Sequence, residues 1–391
     1  MRRIGVATFG RSDYSSCLPI LRALQADPEL ELWLLVSGMH LAPEFGRTVS
    51  AIEADGFPIA ERIEMLLSSD SEAGTATAIG LGTIGFARGL QRVRPEILLM
   101  VGDRLELLAA ACAALPLAIP LAHVSGGDVT EGAVDNQIRH AISKMSHVHF
   151  VAMPEHADRL RQMGEEPWRI VVTGDPALDL LRDMTFLSRA ELETRLGLAL
   201  KPPLLLVAYH PTTLDTGHVA TDVDTLLNVL AEVRGTLIFT YPNADPGNPV
   251  IIDRLREFTA SRADTRLFMS LGQLVYFSLM AQADLMVGNS SSAIWEAPSF
   301  RLPAVDIGDR QKGRRQAGNV VHAALEAAAV RYAIAQALAP AFRAGLHDLQ
   351  NPYGDGRAVP RIVETLKRLE GGRTLLQKRF LDATDRQEPS A

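Results

Sequence analysis

The stretch LAIPLAHVSGGDVTEGAVDNQIRHAISK, Leu117 to Lys144, decides the fold class of this chain. It opens with an apolar run that ends at Val124, continues through a polar segment with two adjacent glycines, and closes in a helical pattern. Strands that are apolar on both faces belong to parallel sheets covered by helices. The stretch therefore predicts a strand, a loop and a helix of such a sheet, with the polar groups at the carboxyl end of the strand.

The same alternation of strand and helix patterns extends along the chain, which predicts a doubly wound α/β fold. Strand patterns occur at residues 3–9, 32–38, 96–103, 117–124, 147–153 and 169–175, and again at 204–210, 235–242, 266–270, 285–290 and 302–308. Between the two groups the alternation pauses, from Arg182 to Pro203. We therefore predict two Rossmann-like domains that face each other across a central cleft, at residues 1–180 and 200–360.

The two ends of the chain and its longest uncharged run carry separate expectations. The start, MRRIGVATFG, predicts a strand and not a secretory signal. The run from Leu107 to Ala122 is shorter than the ~20 residues of a membrane-spanning helix, and we expect a helix end followed by a buried strand. Residues 361–391 are predicted to form a C-terminal helix and a charged tail that frays after about Gly371. We expect a cytoplasmic protein without a membrane partner.

The composition bounds the class of protein. The chain has 391 residues, 47% hydrophobic and 22% charged, which indicates a globular protein of more than one domain. Its net charge of −7 argues against bulk binding of nucleic acid. Cys17 and Cys112 lie far apart in the sequence and are expected to be buried small hydrophobes, without a disulfide or a zinc site.

Polar clusters follow most of the predicted strands. Ligands of such sheets bind beyond the carboxyl ends of the strands, so these clusters predict one shared site. The segments are GRSDYSS with Arg11, GDRLE with Asp103, the loop with Asp128, Glu131 and Asp135, the strand end at His210, NSSSAIWE with Ser290, Ser291 and Glu296, and DRQKGRR with Arg310.

Three of these clusters have the character of a phosphate site, and each also has a plainer interpretation. The serines at Ser290 and Ser291 either cap a helix or bind phosphate, because both roles use the same free N–H groups. The basic run after Arg310 is either a solvated face or a phosphate clamp, and Arg11 is either a surface residue or a phosphate ligand. The sequence contains neither a GxxxxGK[ST] motif nor a GxGxxG after the first strand, so no ATPase loop and no dinucleotide cofactor are predicted.

The carboxylates point to acid–base chemistry. Asp103 and the loop acids end strands that are consecutive in the sequence, so they can converge, and converging acids push their pKa values apart. The alternative is that Asp128 and Asp135 are turn and cap residues. Arg139 and His140 lie on the following helix, where they can orient the acids. His147 and His149 alternate on a strand and are expected to be core residues or to support residues of the site. No spacing predicts a metal site.

In order along the chain, seven motifs resemble the hydrolysing UDP-N-acetylglucosamine 2-epimerases of sialic-acid and legionaminic-acid pathways. They are GRSDYS, VGDRLE, HVSGGDVTEGAVDNQIRHAISKMSHVHF, RQMGEEP, GNSSSAIWE, IGDRQKGR and NPYGDG. The resemblance covers about Arg3 to Pro360 and implies a glycosyltransferase-B-type fold. It implies conversion of a UDP-2-acetamido sugar to the free 2-epimer plus UDP, through a glycal and without a cofactor. It also implies a homodimer or homotetramer.

By matching motifs, the resemblance assigns roles to most of the candidate residues. The implied diphosphate ligands are Arg11, His210, Ser290, Ser291 and Arg310. Glu296 would bind the ribose, Asp103, Glu131 and Asp135 would be catalytic, and Asp128 and His140 would contact the substrate.

One departure leaves the sugar open. Some members carry a catalytic Glu where this chain has Ser125. Either Glu131 or Asp128 substitutes for it, or the sugar differs. The sugar is thus either N-acetylglucosamine or a 2,4-diacetamido-6-deoxy sugar. A non-hydrolysing epimerase, a glycosyltransferase of the same fold and a sugar-nucleotide sensor are the alternative functions.

Overall fold

The computed structural model describes residues 1–69, 71–131, 133–212, 217–243 and 245–382. The strands of the first sheet are β1 (Arg2–Thr8), β2 (Leu30–Ser37), β3 (Ile59–Ile63), β4 (Ile97–Val101), β5 (Leu121–Val124), β6 (Val148–Val151) and β7 (Ile170–Val172). They pair in parallel in the order β3-β2-β1-β4-β5-β6-β7.

A second parallel sheet follows in the chain. Its strands are β8 (Leu204–Ala208), β9 (Thr236–Thr240), β10 (Thr265–Phe268), β11 (Leu285–Gly288), β12 (Ala304–Ile307) and β13 (Val320–Ala323). They pair in the order β10-β9-β8-β11-β12-β13. Every strand predicted from the sequence is present. The two that were not predicted, β3 and β13, are the first and the last strand in their sheets.

Helices cover both faces of the two sheets. Those that accompany the first sheet are α1 (Arg11–Ala26), α2 (Val49–Ala54), α3 (Glu72–Val93), α4 (Leu105–Ala114), α5 (Asp135–Met145), α6 (Pro154–Gln162) and α7 (Pro176–Asp183). The later ones are α8 (Arg189–Leu196), α9 (Val219–Ala231), α10 (Asn248–Ala260), α11 (Gly272–Gln282), α12 (Ser292–Trp295), α13 (Ala327–Leu338), α14 (Pro340–Ala344), α15 (Ala358–Arg368) and α16 (Arg373–Leu376). Short 3-10 helices lie at Gly38–His40, Pro43–Phe45, Pro167–Arg169 and Ala297–Phe300.

The apolar strands of the first sheet are buried because helices cover both of their faces. Side chains of a strand alternate between the faces. In β4, Leu99 belongs to one buried cluster, together with Leu34 of β2. Its neighbour Leu98 belongs to another, together with Leu35. This double coverage accounts for the continuous apolar runs that identified the strands.

The C-terminal part of the chain returns to the first domain. Helix α15 packs on α1 and α7. Beyond it, Arg169 donates to the carbonyls of Leu375 and Gln377 at 2.8 and 2.9 Å, and the N–H of Leu381 donates to the carbonyl of Gly164 at 3.0 Å. The prediction that the tail frays after Gly371 is therefore wrong as far as Asp382. Residues beyond Asp382 lie outside the described part. The domain bounds drawn from the sequence stay a prediction.

The carboxyl edges of the strands carry the loops in which the candidate residues lie. In the first sheet Val101 pairs with Val124, so the loops after β4 and β5 start side by side. The loop after β5 begins at Ser125, which adopts a left-handed conformation with φ +68°. Such a conformation is uncommon for a residue with a side chain, and strain of this kind often marks a functional loop.

Two searches of the described residues gave no candidates. No helix in the ranges above is both long and apolar enough to cross a bilayer. No group of three or more His, Cys, Asp or Glu side chains in those ranges is arranged to hold a metal ion.

Candidate active site

The end of β11 is fixed against the end of β8 by two residues. Gly288 has a φ of +140°, and a Cβ there would lie 2.0 Å from the carbonyl oxygen of Ala208, so only glycine permits this approach. The side chain of buried Asn289 accepts from the N–H of His210 at 2.7 Å and donates to its carbonyl at 2.9 Å. Two predicted site segments, at His210 and at Ser290, therefore lie next to each other.

The loop after β12 joins the same point. Arg310 Nη1 and Gln311 Nε2 donate to the carbonyl of Asn289 at 3.0 and 2.7 Å. The Nε atom of Arg310 is buried and has no hydrogen-bond partner among the residues that the structure describes. A buried guanidinium with an unused donor favours an anionic partner. This arrangement is compatible with the predicted contact between Arg310 and a diphosphate.

The serine segment lies at the cleft beside this loop. Ser290 and Ser291 are partly exposed, and Ser290 Oγ accepts from the N–H of Ser292 at 3.4 Å. The helix that they precede, α12, has only four residues, so its dipole is smaller than that of a full helix. Opposite them, His210 Nδ1 accepts from the N–H of Asn243 at 3.1 Å, which places the proton of a neutral ring on Nε2.

Two acids and two arginines, all with mostly buried side chains, meet at the carboxyl edge of the first sheet. Arg139 Nη2 donates to Asp103 Oδ2, and Arg314 Nη2 lies 3.5 Å from the same oxygen. Arg314 Nε lies 3.2 Å from Asp128 Oδ2. Because Arg314 follows β12 in the second domain, its two ion pairs cross the cleft. The structure thus brings Asp103 and Asp128 together, as their positions after neighbouring strands predicted.

The arginines determine the charge of these two acids. Burial raises the pKa of Asp103, but Arg139 and Arg314 outweigh burial, so the pKa lies below its ordinary value. Burial also opposes ionisation of Asp128, and Arg314 together with His156, whose Nε2 lies 3.3 Å from Asp128 Oδ1, holds the pKa of Asp128 well below its usual range. Both acids are therefore carboxylates at neutral pH.

Asp135, the first residue of α5, is in a different electrostatic environment. Burial is the main cause that raises the pKa of Asp135 to about 6, and the charges of Asp103 and Asp245 add to it. Arg310 and Arg104 act in the opposite direction. An acid with this pKa can hold or release a proton near neutral pH. The cleft therefore combines ionised acids with a protonatable one, which is what an acid–base pair requires.

Glu131 and His140 are less deeply buried than these acids. Glu131 is exposed, its side chain packs over Gly313, and its N–H donates to the carbonyl of Lys312 at 2.8 Å. The structure thus places Glu131 at the domain junction, and its catalytic role stays a prediction. His140 is partly buried, and burial together with Arg139 lowers its pKa.

Glu296 lies buried in the second domain, one residue after α12. Its Oε2 atom has no hydrogen-bond partner within the described ranges. Burial, and then the charge of Asp175, raises the pKa of Glu296 to about 7. A buried carboxyl oxygen with no partner suits a ligand that donates hydroxyl groups, as the predicted ribose does. Arg11 begins α1, but its side chain lies outside the described residues.

Some residues of the site were not among the predicted candidates. Arg314 belongs to the basic run DRQKGRR, where nothing in the sequence separates it from its neighbours. Its guanidinium lies 4.7 Å from the ring of Trp295. Asp175 and Asp245 are each the first charged residue after a strand, β7 and β9. A search for the first charged residue at or beyond the end of every predicted strand would have found both.

Comparisons with known proteins identify the family. The family model for UDP-N-acetylglucosamine 2-epimerase matches residues 22–367. A Campylobacter jejuni GDP/UDP-N,N'-diacetylbacillosamine 2-epimerase (hydrolyzing) is 37% identical over 82% of this chain and 84% of its own length. A Legionella pneumophila UDP-N,N'-diacetylbacillosamine 2-epimerase (hydrolyzing) is 33% identical over 97% of this chain and 99% of its own.

Solved structures agree on the fold. The crystal structure of a Neisseria meningitidis UDP-GlcNAc 2-epimerase bound to UDP-GlcNAc superposes with a TM-score of 0.79, at 18% identity, over 94% of this chain and 100% of that one. The predicted arrangement of two Rossmann-like domains is confirmed. The chain belongs to the UDP-N-acetylglucosamine 2-epimerase family, and the resemblance to its hydrolysing members is confirmed. It is an enzyme of the hydrolysing 2-epimerase class.

Proposed function

We propose that this enzyme takes a UDP-2-acetamido sugar and releases UDP and the free, manno-configured 2-epimer. The observation that carries the proposal is the junction at Arg314. It joins Asp103 and Asp128 of the first domain to the loop that contains Arg310 in the second. Acid–base groups and a candidate diphosphate ligand thus share one cleft. The reaction needs both, because the hydrogen on C2 becomes acidic only as the bond from C1 to the diphosphate breaks.

In the first half of the proposed reaction the diphosphate leaves C1 and a carboxylate takes the proton from C2. The product is a glycal with a double bond between C1 and C2. Donors fixed in advance stabilise the charge of a leaving group without reorganising. The proposed donors are Arg310, His210, Ser290 and Ser291, together with Arg11. The proposed base is Asp103, because its arginine partners keep it ionised.

In the second half, water adds across the double bond. Its hydroxyl joins C1, its remaining proton passes to a carboxylate of the site, and another proton joins C2 from the face opposite to the one from which Asp103 took the first. Asp135 is the proposed donor of that proton, since its pKa of about 6 lets it carry one near neutral pH. Asp128, His140 and Glu131 are proposed to orient the sugar or relay protons, and Glu296 to bind the ribose. This route uses neither a metal nor a nicotinamide cofactor.

The proposed sugar is of the 2,4-diacetamido-6-deoxy type, with N-acetylglucosamine as the alternative. Both relatives described above are named for diacetylbacillosamine, which is a sugar of this type. The enzyme would then act early in the synthesis of a legionaminic-type acid, and with the alternative sugar in that of a sialic acid. A homodimer or homotetramer and a cytoplasmic location stay predictions of the family resemblance.

The test is proton NMR of the enzyme with each UDP-sugar in D2O. We expect release of UDP and a free manno-configured sugar that carries deuterium at C2. Hydrogen retained at C2 would instead indicate plain hydrolysis or transfer to an acceptor. A 2-epimer that is still linked to UDP would indicate a non-hydrolysing epimerase.

A further inference from the structure

A pocket of about 510 Å³ opens between the two domains, and none of the proposed acids or phosphate ligands whose side chains the structure describes lines it. The first domain contributes an apolar wall. Its side chains include those of Phe45, Leu66, Leu67 and Ile79. The second domain contributes Ile252 and other residues near the start of α10. A pocket of this size that combines an apolar wall with polar and charged groups is typical of a small-molecule site.

The inner end of the pocket is charged, and its charges are paired. Arg104 donates to the carboxylate of Glu106 at 3.2 and 3.3 Å and to Asp245 at 3.4 Å. The three side chains are at least nine-tenths buried. One cation against two acids leaves a net negative end, which repels a diphosphate. The pocket therefore suits an uncharged ligand, or the uncharged part of a nucleotide sugar.

The pocket adjoins the acids of the cleft, because Arg104, which lines it, directly follows Asp103 in the chain. Arg104 and Asp245, which form its inner end, both act on the carboxyl group of Asp135. Arg310, of the phosphate site, acts on the same group. Asp135 therefore interacts with charged groups of both regions. In a sugar whose C1 oxygen lies near Arg310 and whose C2 lies at the acids, C4 lies across the ring from C1, where a pocket beside the acids can receive it together with C5 and C6.

We propose that this pocket is the subsite for the C4–C6 side of the sugar. We further propose that its apolar wall selects the C6 methyl over the C6 hydroxyl of N-acetylglucosamine and packs against the methyl end of the C4 acetamido group. The inference rests on the proposed function. Burying one methyl group favours binding about four-fold. A C6 hydroxyl placed against the same wall loses its hydrogen bonds to water without replacement. The two effects act in the same direction, so Ile79 and Leu66 would determine specificity.

The experiment compares kcat/KM for UDP-2,4-diacetamido-2,4,6-trideoxyglucose with kcat/KM for UDP-N-acetylglucosamine. It uses the wild type, Ile79→Gln and Leu66→Gln. The control is Ile84→Gln, because Ile84 lies on the same helix α3 but points outward, with 55% of its surface exposed. The ratio of the two kcat/KM values does not depend on the fraction of folded enzyme, so partial misfolding of a variant does not obscure the result.

We expect the wild type to prefer the diacetamido sugar, and the ratio to fall about ten-fold or more in both pocket variants. In Ile84→Gln the ratio should stay at the wild-type value, and the affinity for UDP should be the same in all four proteins. An unchanged ratio in both pocket variants, or a wild-type preference for UDP-N-acetylglucosamine, would overturn the subsite and leave the epimerase function standing. No turnover of either sugar by the wild type would overturn both.

Discussion

Two ionic clusters around buried acids of the first domain differ in how their charges are balanced. The tail cluster is Glu165 with Lys144, His149 and Lys378. Both oxygens of its single acid are paired, with Lys144 and Lys378 at 2.6 Å and with His149 at 3.0 Å. The cleft cluster consists of Asp103, Asp128 and Asp135 with Arg139 and Arg314.

The balance of charge separates a structural cluster from a reactive one. Burial opposes ionisation of Glu165, but hydrogen bonds from His149, Lys144 and Lys378 lower its pKa to about 2. In the cleft cluster, acids outnumber arginines, and the excess appears at Asp135, whose pKa is raised to about 6. Glu165 has no proton to exchange near pH 7, whereas Asp135 does. A perturbed pKa thus indicates acid–base function here only where acids outnumber their cationic partners.

The largest effect is expected from Asp103→Asn in the cleft cluster. Loss of a general acid or base costs about 10²–10⁴-fold in rate, so kcat should fall by at least 100-fold. The rate of C2 deuteration in D2O measures it. Near-full activity of Asp103→Asn would show that Asp103 is not the base.

Glu165→Gln is the matching change in the tail cluster, and it should affect stability instead of rate. Removing the acid leaves Lys378 and Lys144 without their partner, which we expect to cost about 2–3 kcal/mol of unfolding free energy. Because the pKa of Glu165 is lowered in the folded state, this stability is present above about pH 4.5 and is lost as the pH falls toward 2. Urea denaturation at pH 7 and pH 3 should show the gap between variant and wild type shrink.

In Glu165→Gln, kcat per folded molecule should stay within about two-fold of the wild type, because the variant leaves every proposed catalytic residue intact. A large drop in kcat with unchanged stability would reverse the roles of the two clusters.

Sequence patterns predicted the strands and the convergence of two acids, but not the balance of charge in either cluster. Each apolar strand apart from two at the sheet edges was predicted, because burial on both faces leaves a continuous signal. The edge strand β3, with the sequence IAERI, carries two charges and lacks that signal. The convergence of Asp103 and Asp128 could be predicted, because both follow neighbouring strands. The position of Arg314 could not be predicted, because it depends on how the two domains meet. The packing of the tail depends on distant partners such as Arg169, which no local pattern reveals.

Arg314→Lys tests the role of the junction between the two domains. The guanidinium reaches Asp103, Asp128 and, at 2.8 Å, Gln311 Oε1, and a single ammonium cannot serve all three. We expect kcat to fall about ten-fold, with a smaller change in KM. Arg314 lowers the pKa of both acids, and a lysine in its place should lower them less. The acidic limb of the kcat–pH profile should therefore move to higher pH. The control is Arg315→Lys at the exposed neighbour, and an unshifted limb in Arg314→Lys would argue against the coupling.

The smallest effect is a gain in stability from Asp135→Asn, accompanied by a loss of activity. The folded pKa of Asp135, about 6, exceeds the ordinary value of 3.8, so the folded protein binds this proton more tightly than the unfolded chain does. The wild type therefore loses stability as the pH rises from about 4 to 6. The amide carries no charge to bury near Asp103 and Asp245, so the variant should be more stable by about 1–2 kcal/mol at pH 7.5, and by little at pH 4. Thermal unfolding across this range measures the difference in stability between variant and wild type.

Asp103→Asn should instead lower stability, because the pKa of Asp103 is lowered and its charge stabilises the fold. If both variants change stability in the same direction, the pKa values of the two acids are not shifted in opposite directions, and the contrast within the cleft cluster fails.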